Sequence, residues 1–362
     1  LPHAAHDNTF FALSGSAPKI LILGASYGSL LGTKLLGAGH DVTLVCREKT
    51  AALINGHGTE VRIKLRGEDE HRSFLSASLS GKLNAMTPDQ VTPEKYDLVC
   101  LAMQEPQYSD PSLRDLLARI IKTERPCMSI MNMPPLAYLK RIPSLDCSGL
   151  VSAFTDASIW EAFMPSLMTL CSPDPQAFRP PEEAANVLHV GLPTNFKVSR
   201  FHSPKLDAML DHLERDIDAF QVDGKDIPVK LRVFDSLFVP FAKWSMLAAG
   251  NYRCITNDGP RSIQEAVHSD IKKSESIYNS VRDLVVHLGA DPEDLVPFAK
   301  YAAAAQSLLK PSSAARAVYA GAVNIERVDK LIKLVGDAVG MQNPDIDEAV
   351  VIVDAKLAAN RA

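Results

Sequence analysis

No uncharged apolar run in this 362-residue chain approaches the ~18–20 residues that a bilayer-spanning helix needs, so the sequence does not read as an integral membrane protein. An excess of positive charge is missing too. Lys and Arg number 38 against 43 Asp and Glu, a net charge of −5. Such a chain lacks the basic surface on which backbone-driven nucleic-acid binding rests. The six cysteines (Cys46, Cys100, Cys127, Cys147, Cys171 and Cys254) form no CxxC pair. A disulfide-built secreted domain would be shorter and denser in cysteine, so they read as reduced, buried thiols of a cytoplasmic protein. The ten histidines show no HxxxH or HExxH spacing, and no metal site is expected. Residues 1–18 have neither the basic start nor the apolar stretch of a signal peptide. They read as a loose tail, and the absence of an initial Met points to a trimmed start.

What is present is the composition of a folded globule, 46% hydrophobic and 22% charged, at a length that suits two domains. The run Lys19-Ile20-Leu21-Ile22-Leu23-Gly24 has the form of a parallel strand buried on both faces. It turns at once into Ala25–Leu36 with helical spacing, ending at Gly37 and Gly39, and a second strand follows at Asp41–Val45, which completes a βαβ unit. Further strands are expected over Tyr96–Met103, Cys127–Met131, Gly149–Phe154 and Asn186–Leu192, with a helix over Ser112–Lys122. Pro165, Pro173, Pro175, Pro180 and Pro181 crowd one stretch, which reads as an irregular surface excursion. From about Ser203 the spacing is helical: 206–220, 234–249, 262–288, 295–308 and 325–339, with Ala349–Val353 open between strand and helix. The fold class is therefore α/β, a Rossmann-type doubly wound sheet followed by an all-helical part. The division expected is a tail over 1–18, a dinucleotide-binding domain over 19–200 with a Pro-rich insertion at about 160–183, and a helical domain over 201–362.

The turn after the first strand presents helix N–H groups to an anion. Gly24-Ala25-Ser26-Tyr27-Gly28 is one residue shorter than the GxGxxG fingerprint and lacks its middle glycine, so by itself it can also be a plain strand-to-helix turn. After the second strand come Cys46-Arg47-Glu48-Lys49. Arg47 and Lys49 favour the 2′-phosphate of NADP, Glu48 leaves NAD open, and an ordinary charged loop is the third reading. Lys243 stands in the otherwise uncharged helical stretch Val239–Ala249, where desolvation lowers a lysine pKa toward the range useful for proton transfer.

Ile22-Leu23-Gly24, Gly28-Ser29-Leu30-Leu31-Gly32, Ala38–Val45 and Arg47 together resemble the opening of ketopantoate reductases (2-dehydropantoate 2-reductases). The resemblance implies NADPH bound by a Rossmann domain and a helical domain that closes the substrate cleft and supports a homodimer. Phe241-Ala242-Lys243-Trp244 then matches the segment of the family's general-acid lysine, and Asn251 a substrate-contacting asparagine. Asn132 matches the residue beside nicotinamide and substrate, Ser312 or Ser313 a serine that holds the carboxylate, and Glu326, with a one-residue shift, a substrate-binding glutamate. Met103 and Gln104, after the third strand, complete the implied cofactor contacts. Three family positions differ: Gln104-Glu105-Pro106-Gln107 has no lysine, Leu247 replaces an asparagine and Met133 a glycine. These departures point away from ketopantoate itself but keep the cofactor and reaction type. The reaction expected is NADPH-dependent reduction of a small 2-keto acid. The alternatives are an opine-type or imine-reducing dehydrogenase and a non-catalytic NADP-binding sensor. His189, His202 and His212 have no partner that the sequence assigns.

Overall fold

A computed structural model describes residues 17–362, so the expected tail lies almost wholly outside the described residues. The chain opens with β1 (Ile20–Leu23), α1 (Tyr27–Gly37) and β2 (Val42–Val45), followed by α2 (Glu48–His57). Next come β3 (Glu60–Lys64), β4 (His71–Leu75), β5 (Leu83–Met86), β6 (Leu98–Leu101), α3 (Pro111–Lys122) and β7 (Cys127–Ile130). Short helices α4 (Leu136–Leu139) and α5 (Ala157–Glu161) lead to β8 (Met168–Ser172), β9 (Gln176–Phe178), β10 (Val187–Leu192) and β11 (Phe196–Ser199). After α6 (Pro204–Ala219), the hairpin β12 (Gln221–Val222) and β13 (Lys225–Asp226), and β14 (Leu231–Phe234), the rest is helical. Its helices are α7 (Ala242–Met246), α8 (Ile263–His268), α9 (Ile271–His287), α10 (Phe298–Ala305), α11 (Ser313–Tyr319), α12 (Val328–Val339) and α13 (Pro344–Arg361).

The main sheet has the order β14-β11-β8-β7-β6-β1-β2-β5. β1 pairs in parallel with β2 on one side and β6 on the other, so the chain reverses its direction of build at β1. In an open α/β sheet that reversal leaves a crevice at the carboxyl ends of the two strands. Side chains alternate strictly between faces. Ile20 and Ile22 join one core with α1, while Leu21 and Leu23 join another that reaches through α9 and α12 to Leu357 of α13. Each buried aliphatic side chain contributes about 1.5–3 kcal/mol, so both sides of the sheet are strongly tied to what covers them.

Four expectations are corrected. Gly149–Phe154 is not a strand but a 3₁₀ helix over Ser148–Ala153, with Leu150 and Ala153 buried one turn apart. A short apolar run does not tell the two apart. The Pro-dense stretch is not simply irregular: β8 is wholly buried in the main sheet, and Pro165 and Pro173 bracket it rather than fall within it. β10 does not close the Rossmann sheet, because it pairs with β3 and β9 in a separate four-stranded sheet. The strands do not end near residue 200. β14 extends the main sheet, and Met209, Leu210, Leu213 and Ile217 of α6 pack on the core beneath it. The Lys34 ammonium of α1 is buried there, donating to the Ile227 carbonyl at 2.9 Å over the Phe220 ring. The open Ala349–Val353 run is helical, within α13.

Candidate active site

The β1–α1 end of the crevice is shaped by two glycines. Gly24 has φ +110°, and a Cβ there would stand 2.8 Å from the Ala102 carbonyl oxygen and 2.6 Å from Met103 Cγ. Only glycine lets the ends of β1 and β6 close on each other there. Gly28 brings α1 against Ile22, whose Cγ2 would lie 2.6 Å from an added Cβ. The first turn of α1 has no capping side chain and no acidic residue, and Ser26 beside it is exposed. Such a helix start, at the carboxyl end of a parallel strand, fits the pyrophosphate of a dinucleotide. Ala25 itself is buried, its carbonyl accepting from the Ser29 hydroxyl.

At the end of β2, Arg47 is the exposed N-cap of α2, and Lys49 is exposed one residue into that helix. A second guanidinium, unforeseen in the sequence, comes from the Pro-dense stretch. Arg179 lies in the electrostatic field of Cys46 and Arg47, and burial holds its pKa below the ordinary arginine value.

The other end of the crevice is a cleft of about 440 Å³, lined among others by Gln104, Asn132, Asn251, Ser313 and Glu326. Met103 donates its N–H to the Tyr108 hydroxyl at 3.1 Å, which holds the chain as it leaves β6. Gln104 then caps the turn Glu105–Ser109. Glu105 is buried, its carboxylate accepting from the Thr155 N–H, the Thr155 hydroxyl at 2.9 Å and the Trp160 indole at 3.2 Å. Its own N–H donates to Glu326 Oε1 at 3.4 Å. Glu326 is 8% exposed, and burial pushes its pKa up to about 7, with Glu105 adding repulsion and a hydrogen bond from Asn132 opposing it. Asn132 Oδ1 is buried without a hydrogen-bond partner among the described residues. An acceptor so placed calls for a donor from a ligand or water.

Lys243 opens α7. Its ammonium donates to the Pro173 carbonyl at 2.6 Å and pairs with Asp174 Oδ1 at 3.2 Å. Burial lowers its pKa and Asp174 works against that shift. The same Pro173 carbonyl accepts the Tyr27 hydroxyl at 3.0 Å, and Tyr27 also donates to the Pro175 carbonyl. The segment after β8 thus joins the β1–α1 turn to the lysine. Asp174 is further held by Lys197 at 3.4 Å and by the Ser172 hydroxyl.

Beyond α7 the helix continues as a π turn over Leu247–Asn251. The inserted residue gives Asn251 the place that i+7 takes in a regular helix, about 20° from Lys243. Ser312 is buried as the N-cap of α11. Its hydroxyl accepts from Ala315 N and donates to the Asn251 carbonyl at 2.7 Å, so it positions Asn251 while Ser313 faces the cleft.

The cleft thus gathers Gln104, Asn132, Asn251, Ser313 and Glu326, and Lys243 lies in the electrostatic field of Glu326. Glu105 and Asp174 escaped the sequence reading. Each is a lone acid among neutral residues, Gln-Glu-Pro and Pro-Asp-Pro, which is the one signal of burial that the sequence carried.

Residues 20–132 match the family model described as ketopantoate reductase PanE/ApbA. No curated protein matches the chain. Solved structures match along nearly all of it. A 2-dehydropantoate 2-reductase from Methylococcus capsulatus is 13% identical, with a TM-score of 0.67, covering 95% of this chain and 98% of its own. A D-mandelate dehydrogenase, solved with NADH and anilino(oxo)acetate, is 15% identical with a TM-score of 0.61, covering 95% and 99%. A dimeric ketopantoate reductase from Staphylococcus aureus is 8% identical with a TM-score of 0.58, covering 94% and 99%. At such identities the likeness is one of fold. Residues 20–132 thus match a ketopantoate reductase PanE/ApbA model in sequence, and the chain as a whole shares the fold of solved ketopantoate reductases.

Proposed function

We propose that this protein reduces a small 2-keto acid to the 2-hydroxy acid with NADPH, and that Lys243 is the general acid. The observation that carries the reading is the convergence of Asn132 and Gln104 from the sheet with Asn251, Ser313 and Glu326 from the helical part on one cleft, near a half-buried lysine. A bound nicotinamide supplies the hydride. Lys243 has three N–H donors, and with Pro173 and Asp174 taking two, one is left for the substrate oxygen, which it protonates as charge develops there. Asn132 and Asn251 orient the carbonyl, and Ser313 takes the carboxylate. Glu326, with a pKa near neutrality, can donate or accept at the second oxygen.

Arg47, with Arg179 beside it and Lys49 on the following turn, favours a 2′-phosphate and so NADPH over NADH. No helix among the described residues is long and apolar enough to cross a membrane, and we place the enzyme in the cytoplasm as a homodimer. The test is a panel of 2-keto acids followed by loss of NADPH absorbance, repeated with NADH. Lys243→Ala lowers kcat by about 10²–10⁴-fold while NADPH affinity stays near wild type. An undiminished kcat removes Lys243 as the acid, and turnover only with an added amine replaces the keto-acid reading by an imine-reducing one.

A further inference from the structure

We infer that His40, His212 and Asp216 form a binding site for a divalent transition ion of the zinc type, apart from the cleft. His40 lies in the turn between α1 and β2, and His212 and Asp216 are one turn apart on α6. One nitrogen of each imidazole and one carboxylate oxygen lie within 4.8 Å of one another. His40 Nε2 is 2.9 Å and His212 Nε2 is 3.2 Å from the same Asp216 Oδ2. Ligand atoms on a tetrahedral zinc with bonds of ~2.0–2.1 Å stand roughly 3.3 Å apart, so the three need only small movements to share an ion.

The orientation of His40 is the second, independent observation. Its side chain is 1% exposed, and neither ring nitrogen makes a hydrogen bond among the described residues. Nε2 stands 2.9 Å from Asp216 Oδ2, and Nδ1 faces no polar partner among the described residues. That arrangement wastes a buried donor or acceptor, at a cost of ~1–3 kcal/mol, if the pair is only a hydrogen-bonded contact. The ring of His212 stands at 76° to that of His40, with centroids 5.8 Å apart, so the two approach edge to face rather than stacked.

The donor set selects the ion. Two imidazoles and one carboxylate suit zinc and its neighbours, whereas magnesium and calcium take oxygen almost throughout. His212 and Asp216 are partly open to solvent, which gives the ion a path and a water its fourth position. The site lies at the amino end of β2, the edge of the sheet away from the cleft, and does not depend on the reductase reading. An ion there staples the turn after α1 to α6. A scan for HxxxH misses it because one ligand of the helical pair is an aspartate and the third lies far upstream.

The test uses the whole chain, stripped with a chelator and titrated with zinc chloride by calorimetry and with cobalt(II) by visible absorption. One ion per chain, a tetrahedral cobalt spectrum and a higher Tm with zinc are expected. His212→Ala and Asp216→Ala each weaken binding by about tenfold or more, with circular dichroism unchanged, as both side chains are partly exposed. Should either variant fail to fold, His212→Gln is the replacement. Absence of stoichiometric binding in the wild type overturns the site. Unchanged affinity in both variants overturns it equally, since the ion then rests on other residues.

Discussion

At the scale of single residues, the cleft is governed by charges held out of water. Glu326 and Glu105 meet across the seam, with the Glu105 N–H on Glu326 Oε1, and Glu105 is also raised in pKa by burial. The sign for stability follows from Glu326, whose folded pKa is about 7 against an ordinary 4.5. The folded state favours its neutral form, so this contribution is intact below pH 4.5 and is lost as pH rises toward and through 7. The loss is about 3 kcal/mol at most, from 1.36 kcal/mol per pKa unit. Glu326→Gln keeps the neutral shape and removes the titration. Thermal melts between pH 4.5 and 8 should show the wild type losing Tm relative to the variant as pH rises. Parallel curves would mean that Glu326 ionises freely in the fold. The same substitution leaves the carbonyl contact of Glu326 with Tyr252 in place, because that bond of 2.5 Å uses the backbone oxygen.

At the scale of elements, the π turn Leu247–Asn251 decides whether Asn251 and Lys243 share a face. Gly250 makes that turn fit its neighbour: an added Cβ would lie 2.0 Å from Tyr301 Oη. Tyr301 cannot move cheaply, since its hydroxyl donates to the Met246 carbonyl at 3.1 Å and its ring stacks on Tyr278 at 5.3 Å. Gly250→Ala should therefore destabilise by about 1–3 kcal/mol, whereas Gly56→Ala in α2, with nothing within 4 Å of the new Cβ, should stabilise by about 0.5–1 kcal/mol. Urea unfolding of the two variants measures both, and a Gly250→Ala protein as stable as wild type would show that the turn yields. Neither the π turn nor the Tyr301 contact was visible in the sequence, where Phe234–Ala249 read as one helix, because both depend on helices 50 residues apart. The βαβ unit Ile20–Val45 was legible, since its apolar runs and glycines are local. So was α3. β8 was hidden because prolines flank it, and β14 because nothing in Leu231–Phe234 says which sheet it extends. Around the cleft, Lys243 and Asn132 stand in segments that the sequence singled out, whereas the contacts of Glu105 and Asp174 come only from partners brought in by the fold.

At the scale of the whole molecule, the two halves that differ in texture do not have separate interiors. One apolar core runs from Leu21, Val99 and Tyr108 on the sheet through Trp160 and Trp244 to Val281, Leu331 and Leu357 of the last helices. The cleft lies at its edge, so Asn132 from the sheet and Asn251 from the helical part are set by the same packing. A chain of this length with a Rossmann half and a helical half would ordinarily be expected to melt in two steps. The shared core argues otherwise, because removing the helical part would strip one face of the sheet and expose Leu21, Leu23, Val99 and Leu101. Urea unfolding should give one transition, coincident by tryptophan fluorescence and far-ultraviolet circular dichroism. The tryptophans are well placed for this test, Trp160 being tied to Glu105 in the first half and Trp244 packed on Phe241 in the second, both without solvent exposure. Single-tryptophan variants, Trp160→Phe and Trp244→Phe, then report each half separately. Midpoints that agree between the two variants, each relative to its own circular-dichroism curve, follow from a common core, and midpoints that separate would mean that the halves unfold as independent domains.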